Sequence, residues 1–234
     1  MVYKHLARWR DWLLPGQCLL CSAPTRRLAA LCGDCTATLP RQRHACPSCA
    51  ARLPASAGGD LPCGECQHHP PVFNEALALF TYAAPVDHLI QRIKYGGDLA
   101  LARELGEQLA SRILESDVAH PDLLLPVPLH HTRLRTRGYN QALELARPLS
   151  RRLRIPLDHD RAKRTRATAP QQDMDRRERA RNLRDAFAVR GELSGGHVAI
   201  IDDVMTSGAT VTSLAKALKR AGAERISVWV LARA

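Results

Sequence analysis

An α/β, parallel-sheet domain preceded by a small cysteine-rich zinc-ribbon domain is the fold class that the sequence predicts. Two observations lead there. All eight cysteines of the 234-residue chain fall before residue 67, every one in a Cys-x-x-Cys pair. From residue 72 onward, apolar runs of strand length alternate with stretches of helical spacing. Strands alternating with helices imply a parallel sheet covered on both faces. The length suits one mid-sized domain plus a small one. Pro70-Pro71 marks the expected boundary, which divides the chain into residues 1–70 and 71–234.

Ahead of the first cysteine, Leu6, Trp9, Leu13 and Leu14 fit one face of a short helix that Pro15-Gly16 ends. The pairs Cys18/Cys21, Cys32/Cys35, Cys46/Cys49 and Cys63/Cys66 then follow. Each knuckle aims two sulfurs inward from one tight turn, which is half of a tetrahedral Zn²⁺ shell. The intervals of 10 and 13 residues inside successive sets are close to zinc-ribbon spacing. The sequential quartets Cys18/Cys21/Cys32/Cys35 and Cys46/Cys49/Cys63/Cys66 are expected, with interleaved quartets the alternative that spacing leaves open. Four sulfurs leave no position for water, so two structural zinc ions are expected. A disulfide framework suits oxidising compartments, and although Cys46-Pro47-Ser48-Cys49 alone would suit a redox pair, four such pairs in one segment argue against that use. Ser22, Thr36, Ala50 and Gln67 stand where zinc knuckles often carry glycine, and His44, His68 and His69 read as surface residues.

Elements of the larger region follow in order. Residues 76–82 read as a strand, and Val86, Leu89, Ile90 and Ile93 as a helix ended by Gly96-Gly97. Residues 99–114 form a second helix, 123–128 a short buried strand running into a loop, and 140–153 a third helix. A strand over 197–203, a helix over 210–221 and a strand over 225–231 complete the set. The stretch 161–182 is polar and poor in apolar residues, which fits a mobile segment.

Charge narrows the partners. The formal charge is +11, and residues 126–190 alone carry 17 Lys/Arg against 7 Asp/Glu. A localised basic stretch suits phosphate-bearing partners, a nucleic acid or a phosphorylated small molecule. Aromatics are only 4%, which argues against rows of stacking rings. No apolar run approaches the ~20 residues of a membrane span, and Arg8, Arg10 and Asp11 interrupt any signal-peptide core. No membrane insertion and a cytoplasmic location are therefore expected.

The motif richest in chemistry runs from Val198 to Thr210: Val-Ala-Ile-Ile-Asp-Asp-Val-Met-Thr-Ser-Gly-Ala-Thr. An apolar run reads as a central parallel strand whose carboxyl end carries Asp202 and Asp203, where open α/β sheets bind ligands. Thr206, Ser207, Gly208, Ala209 and Thr210 form a hydroxyl-rich turn opening a helix, a cradle for a phosphate. Two carboxylates beside it can accept hydrogen bonds from vicinal hydroxyls, so a ribose 5-phosphate fits both halves. No Lys follows the turn before Lys216, which excludes a Walker A loop. Both acids are expected to be exposed in the empty pocket.

This segment resembles the 5-phosphoribosyl 1-pyrophosphate (PRPP) motif of type I phosphoribosyltransferases. With the cysteine pairs, the chain resembles the ComF family (ComFC/GntX-like), a double zinc ribbon followed by a phosphoribosyltransferase-like domain. Ile93-Lys94-Tyr95-Gly96-Gly97-Asp98, Pro126-Val127-Pro128-Leu129, Arg137-Gly138-Tyr139-Asn140-Gln141 and the stretch Arg164–Asn182 add to the likeness. The resemblance implies a type I phosphoribosyltransferase-like fold and a glycosyltransferase acting on PRPP with Mg²⁺. It implies Asp202 and Asp203 on the ribose 2′- and 3′-hydroxyls and Thr206–Thr210 on the 5-phosphate. The pyrophosphate loop would run from Pro128 and Leu129 to Arg133, with Arg135 and Arg137 adding phosphate contacts. Residues 161–182 would be a hood closing over the reaction, with Arg164 and Arg179 joining the catalytic set. The family is associated with DNA uptake in natural competence beside a ComFA-like helicase. An alternative function is therefore a PRPP- or nucleotide-sensing adaptor that engages single-stranded DNA or the helicase.

Overall fold

The computed structural model describes residues 16–25, 29–56, 61–166 and 186–234. The amino-terminal helix expected around Leu6–Leu14 lies outside the described residues. Within the cysteine-rich region, β1 (Gly16–Gln17) and β2 (Pro24–Thr25) pair antiparallel, and α1 (Gly33–Thr38) and α2 (Gly64–His68) are short helices. The larger region runs β3 (Glu75–Thr81), α3 (Val86–Tyr95), α4 (Leu99–Leu114), β4 (Leu123–Pro126), α5 (His131–Arg137) and α6 (Gln141–Leu153). Strands β5 (Ala162–Arg164), β6 (Phe187–Val189) and β7 (His197–Met205), helix α7 (Ala209–Arg220) and strand β8 (Arg225–Arg233) follow.

Four strands form one sheet in the order β3-β8-β7-β4, all neighbours parallel. The apolar run of β7 is thus an interior strand, as expected, and its alternate residues face opposite layers. Ala199 and Ile201 join an apolar cluster with residues of α3, α4 and α6, while Val198 and Ile200 join a second with residues of α7. Both faces of the sheet are therefore covered, and side chains are buried along almost the whole of β7 and β8.

Helix α4 begins where Asp98 accepts a hydrogen bond from the Leu101 N–H at 3.1 Å, an N-cap. It approaches α6 closely at Gly106: a Cβ there would stand 2.5 Å from Pro148 Cγ and 2.7 Å from the Leu145 carbonyl. Pro148 sits inside α6 with buried neighbours Leu145 and Leu149, so the two helices meet through a glycine and a ring.

Two expectations are corrected. The stretch 161–182 is not wholly a mobile segment, because Ala162–Arg164 pairs antiparallel with Phe187–Val189 and both Ala162 and Phe187 are buried. Ala162 and Phe187 are apolar and buried at this pairing, which the polar average of the stretch concealed. The loop expected from Pro128 to Arg133 gives way at His131 to helix α5, which is ended by Gly138 at φ +80°, a conformation glycine adopts without penalty.

The cysteine-rich region also packs on the sheet rather than folding around metal alone. Cys18, Ala30, Leu31 and Leu39 are buried in the same cluster as α3, α4 and α6. Arg41 bridges Phe80 in antiparallel fashion, and the N–H groups of Gln42 and Thr81 reach the carbonyls of Leu79 and Pro40 at 3.0 and 2.9 Å. Residues 40–42 thereby extend the β3 edge, whose unpaired backbone groups would otherwise face solvent. Gln42, itself buried, donates to the Ala50 carbonyl at 2.9 Å and accepts from Thr81 Oγ1 at 2.6 Å.

Candidate functional site

Strand β7 delivers Asp202 and Asp203 to the carboxyl edge of the sheet, and the chain then turns through 206–208 into α7. Each carboxylate accepts from the next backbone N–H, Asp202 from Asp203 and Asp203 from Val204, both at 2.9 Å. The two acids are not exposed as expected: Asp202 is 8% and Asp203 4% accessible. Lys94 of α3 explains how such a pair is tolerated, with Nζ 2.8 Å from Asp203 Oδ2. Burial, and then the Asp203 charge, push the Asp202 carboxyl well above its ordinary range, with Lys94 pulling the other way. Burial draws Lys94 down, but the two carboxylates outweigh it and hold the ammonium above the ordinary lysine value.

Gly208 caps α7 at φ +73°, and no side chain occupies the N-cap hydrogen-bonding position. A Cβ on Gly208 would meet Met205 and Val211 at 3.8–4.0 Å, ordinary contact distances. The requirement for glycine is therefore its backbone conformation more than space among protein atoms. Ser207 Oγ accepts from the Ala209 N–H at 3.4 Å, while Thr206 is exposed and Thr210 partly so. First-turn N–H groups of a twelve-residue helix are thus presented beside two carboxylates.

Strand β4 lies next to β7, with Pro126 opposite Ile201 and the Val127 N–H bonded to the Ile201 carbonyl at 2.9 Å. The stretch from Pro128 and Leu129 to His130 therefore leaves the sheet beside the acids. Arg133 and Arg137 stand on α5 instead of a loop. Arg164 leaves β5 over the Phe187 ring at 5.6 Å, and burial lowers its pKa, with Arg133 adding to the effect and Asp202 opposing it. Arg164, Arg133 and Asp202 thus share one electrostatic neighbourhood. Arg137 donates to Gln141 Oε1 at 2.6 Å and covers the Tyr95 ring at 5.3 Å. Arg179, Gln171 and Asn182 lie outside the described residues.

Two residues that the sequence assigned no role, Lys94 and Arg233, stand at this site, together with His130 of the expected pyrophosphate loop. Lys94 was quoted only as part of a six-residue likeness, and its single signal was a lysine in the last turn of an amphipathic helix. His130 is buried; burial, then His131, Arg164 and Arg133, lower its pKa and favour the neutral imidazole. Arg233 donates to the carbonyls of Met205 and Thr206 at 3.1 and 2.5 Å. Tyr139, donating its hydroxyl to the Ile93 carbonyl, ties the turn before α6 to α3.

The cysteines group sequentially, Cys18/Cys21/Cys32/Cys35 and Cys46/Cys49/Cys63/Cys66, with all four ligand atoms of each set within 4.8 Å of one another. The Cys21–Cys32 and Cys49–Cys63 sulfurs stand 3.6 and 3.8 Å apart. Four sulfurs at ~2.3 Å from a tetrahedral ion are about 3.8 Å apart, so both sets fit Zn²⁺ with structural, closed shells. Each set pairs one loop knuckle with one helical knuckle. Ser22 and Ala50 follow the loop knuckles at φ +61° and +53°, the place glycine often takes. Their N–H groups bond to the Cys18 and Cys46 carbonyls at 2.9 and 2.8 Å. Thr36 and Gln67 continue α1 and α2, where no left-handed residue is needed. Burial raises the Cys18 and Cys46 thiols, but surrounding backbone N–H donors outweigh it and bring them to about 6 and about 7. His44, His68 and His69 are exposed and outside both clusters, as expected.

Comparison with known proteins accounts for both halves. Residues 9–67 match the double zinc ribbon domain and residues 139–234 the phosphoribosyl transferase domain. The DNA utilization protein YhgH of Escherichia coli (strain K12) is 38% identical over 177 residues, 74% of this chain and 78% of the relative. The chain belongs to the ComF family. Competence protein F of Haemophilus influenzae is 36% identical over 179 residues (74% and 78% of the two chains). Competence protein ComFC of Streptococcus pneumoniae is 26% identical over 156 residues, 67% of each. Among solved structures, a purine phosphoribosyltransferase from Pyrococcus horikoshii aligns with a TM-score of 0.36 at 21% identity, covering 57% of this chain and 82% of that one. No helix among the described residues of this ComF protein is long and apolar enough to cross a membrane.

Proposed function

We propose that the chain binds PRPP with Mg²⁺ at the carboxyl edge of the sheet and transfers its phosphoribosyl group to a nitrogenous acceptor in the cytoplasm. One observation carries this reading: two adjacent carboxylates at the end of β7 lead directly into a helix whose N-cap is Gly208, a residue with no side chain to cap the first-turn N–H groups. Asp202 and Asp203 accept the ribose 2′- and 3′-hydroxyls. Because Lys94 neutralises one charge of the pair, neutral hydroxyl donors suit it. Thr206, Ser207, Gly208, Ala209 and Thr210 hold the 5-phosphate through N–H and hydroxyl donors. Pro128, Leu129 and the cationic side chains of Arg133 and Arg164 face the pyrophosphate, with Arg137 added at the rim; the family likeness adds Arg179 to the catalytic set. In the transfer, the C1–oxygen bond to pyrophosphate breaks, pyrophosphate leaves with the electron pair, and a C1–nitrogen bond forms. Carboxylate oxygens suit a hard cation, so Mg²⁺ would sit beside Asp202 and Asp203. When bound, it neutralises charge on the leaving pyrophosphate. Turnover of isotope-labelled PRPP, with and without nucleobases, tests the reading: release of pyrophosphate dependent on an acceptor supports it. Binding without turnover against any base would reduce the site to a sensor.

A second reading, an adaptor that engages single-stranded DNA or a helicase, is favoured by a different place. A cleft of about 590 Å³ between the second cysteine cluster and β3 is lined by Arg41, Arg43, His44 and Arg52, with no acidic residue among the described residues of its lining. The names of the relatives, a DNA utilization protein and competence proteins, agree with work on DNA. Contacts of this kind are made to phosphates and carry no base readout. Affinity for a single strand should fall steeply with salt, and Arg43→Ala with Arg52→Ala should flatten that dependence by about 0.7 in log–log slope per lost contact. Salt-independent binding would contradict it.

A further inference from the structure

We propose that Arg233 is a positioning residue that couples the second cysteine cluster to the loop 206–210, so that metal at Cys46/Cys49/Cys63/Cys66 sets the loop's affinity for a phosphoribosyl ligand. The affinity part rests on the reading of that loop as the 5-phosphate site. One guanidinium spans the two places: Nε donates to the Cys49 carbonyl at 3.2 Å, and the same group donates to the Met205 and Thr206 carbonyls at 3.1 and 2.5 Å.

Peptide planarity turns this contact into control of the loop's donors. A trans peptide holds its N–H opposite its carbonyl in one plane. The Met205 oxygen also accepts from the Ala234 N–H at 3.1 Å, so the sheet itself sets the direction of the Thr206 N–H, whereas the Arg233 bond to the Thr206 oxygen sets that of the Ser207 N–H. These are donors at the mouth of the cradle, and orienting them before a ligand arrives saves the entropy of ordering them on binding. A rigid fork of five donors can serve two sides at once, whereas a lysine ammonium is a single point.

A second route runs beside the first. The Ala76 N–H donates to the Pro47 carbonyl at 3.0 Å, so the knuckle is also bonded to β3. Ala50, fully buried, lies in the same apolar cluster as Met205, and Met205 is the side chain nearest the Cβ position of Gly208. The first cysteine cluster is held elsewhere. Its Ala30 and Leu31 N–H groups donate to Glu104 Oε2 of α4 at 2.6 and 3.4 Å, and Cys18 joins the cluster on the opposite face of the sheet. The molecule thus contains its own control, two similar metal sites of which one touches the loop.

Zinc-loaded full-length protein provides the test. Amide hydrogen exchange over 206–210, measured without ligand, should quicken in Arg233→Ala and in Cys63→Ser but stay unchanged in Cys21→Ser. Calorimetry with PRPP and Mg²⁺ should show affinity about 10-fold weaker in Arg233→Ala and Arg233→Lys, with zinc still bound. Because coupling is reciprocal, PRPP should slow zinc release to a chelator from the second cluster of the wild type and not from the first. This last measurement needs no variant that could misfold. Unchanged exchange in both Arg233→Ala and Cys63→Ser, or release slowed equally from both clusters, overturns the coupling. Altered exchange with no PRPP binding by the wild type supports the coupling and overturns the phosphoribosyl reading alone.

Discussion

Asp202 and Asp203 hold two carboxylates at a strand end with less than a tenth of either residue accessible, and that placement has a stability cost before any ligand is present. The Asp202 carboxyl is pushed well above the ordinary range, first by burial and then by its neighbour. Between the ordinary range and that raised value, the folded chain binds more protons than the unfolded one, so this residue's contribution falls as pH rises. Asp202→Asn should accordingly raise thermal stability near neutral pH by about 1–2 kcal/mol, with the gain shrinking toward acid pH where the wild-type carboxyl is protonated. Melting curves across pH 4–8 check both the sign and the trend. Asp203→Ala works in the opposite direction, since it strands the half-buried Lys94 ammonium. A loss toward the low end of about 3–5 kcal/mol is expected, measured by denaturant unfolding. Lys94 is also where sequence reading ran out. The acids, Gly208 and the hydroxyls follow one another in thirteen residues, but the counter-charge arrives from a helix more than a hundred positions earlier, and only the fold joins them.

At the scale of elements, periodicity located what periodicity can describe. The helix over 99–114 coincides with α4, and strands 76–82, 197–203 and 225–231 lie within a few residues of β3, β7 and β8. Those elements have long, regular apolar faces. The misses share a different cause. Helix α5 has no buried residue, so no apolar stripe announced it, and the paired strands β5 and β6 are three residues each. The contact of α4 with α6 was equally invisible, because Gly106 in a helical pattern carries no sign of what approaches it. Gly106→Ala should improve helix propensity yet destabilise, since the added Cβ meets Pro148 and the Leu145 carbonyl. An unfolding free energy lower by about 1–3 kcal/mol is expected. An increase in stability would show that α6 can shift away at no cost.

The whole molecule combines a metal-stapled amino-terminal region with a parallel sheet whose β3 edge that region extends. Eight cysteines in four metal-binding knuckles were legible from spacing, but the choice of sequential over interleaved quartets came only with the fold. Their packing was not legible either, because Leu31, Leu39 and Gln42 belong to no periodic segment and are buried only against the sheet. Metal analysis of undenatured protein should find two zinc ions per chain, and stripping them should lower the melting temperature of the entire chain. Loss of zinc without any change in melting would mean that the sheet does not depend on the ribbon for its edge. The same arrangement places the loop after β7 and the second cysteine cluster on either side of Arg233. The account as a whole therefore depends on whether the loop after β7 receives a phosphoribosyl group. Calorimetric titration of zinc-loaded protein with PRPP and Mg²⁺ tests this most directly. The account predicts saturable one-site binding for the wild type and at least 10-fold weaker binding for Gly208→Val, whose β-branched side chain opposes the φ of +73°. Absence of binding by the wild type, or equal affinity in the variant, would contradict it.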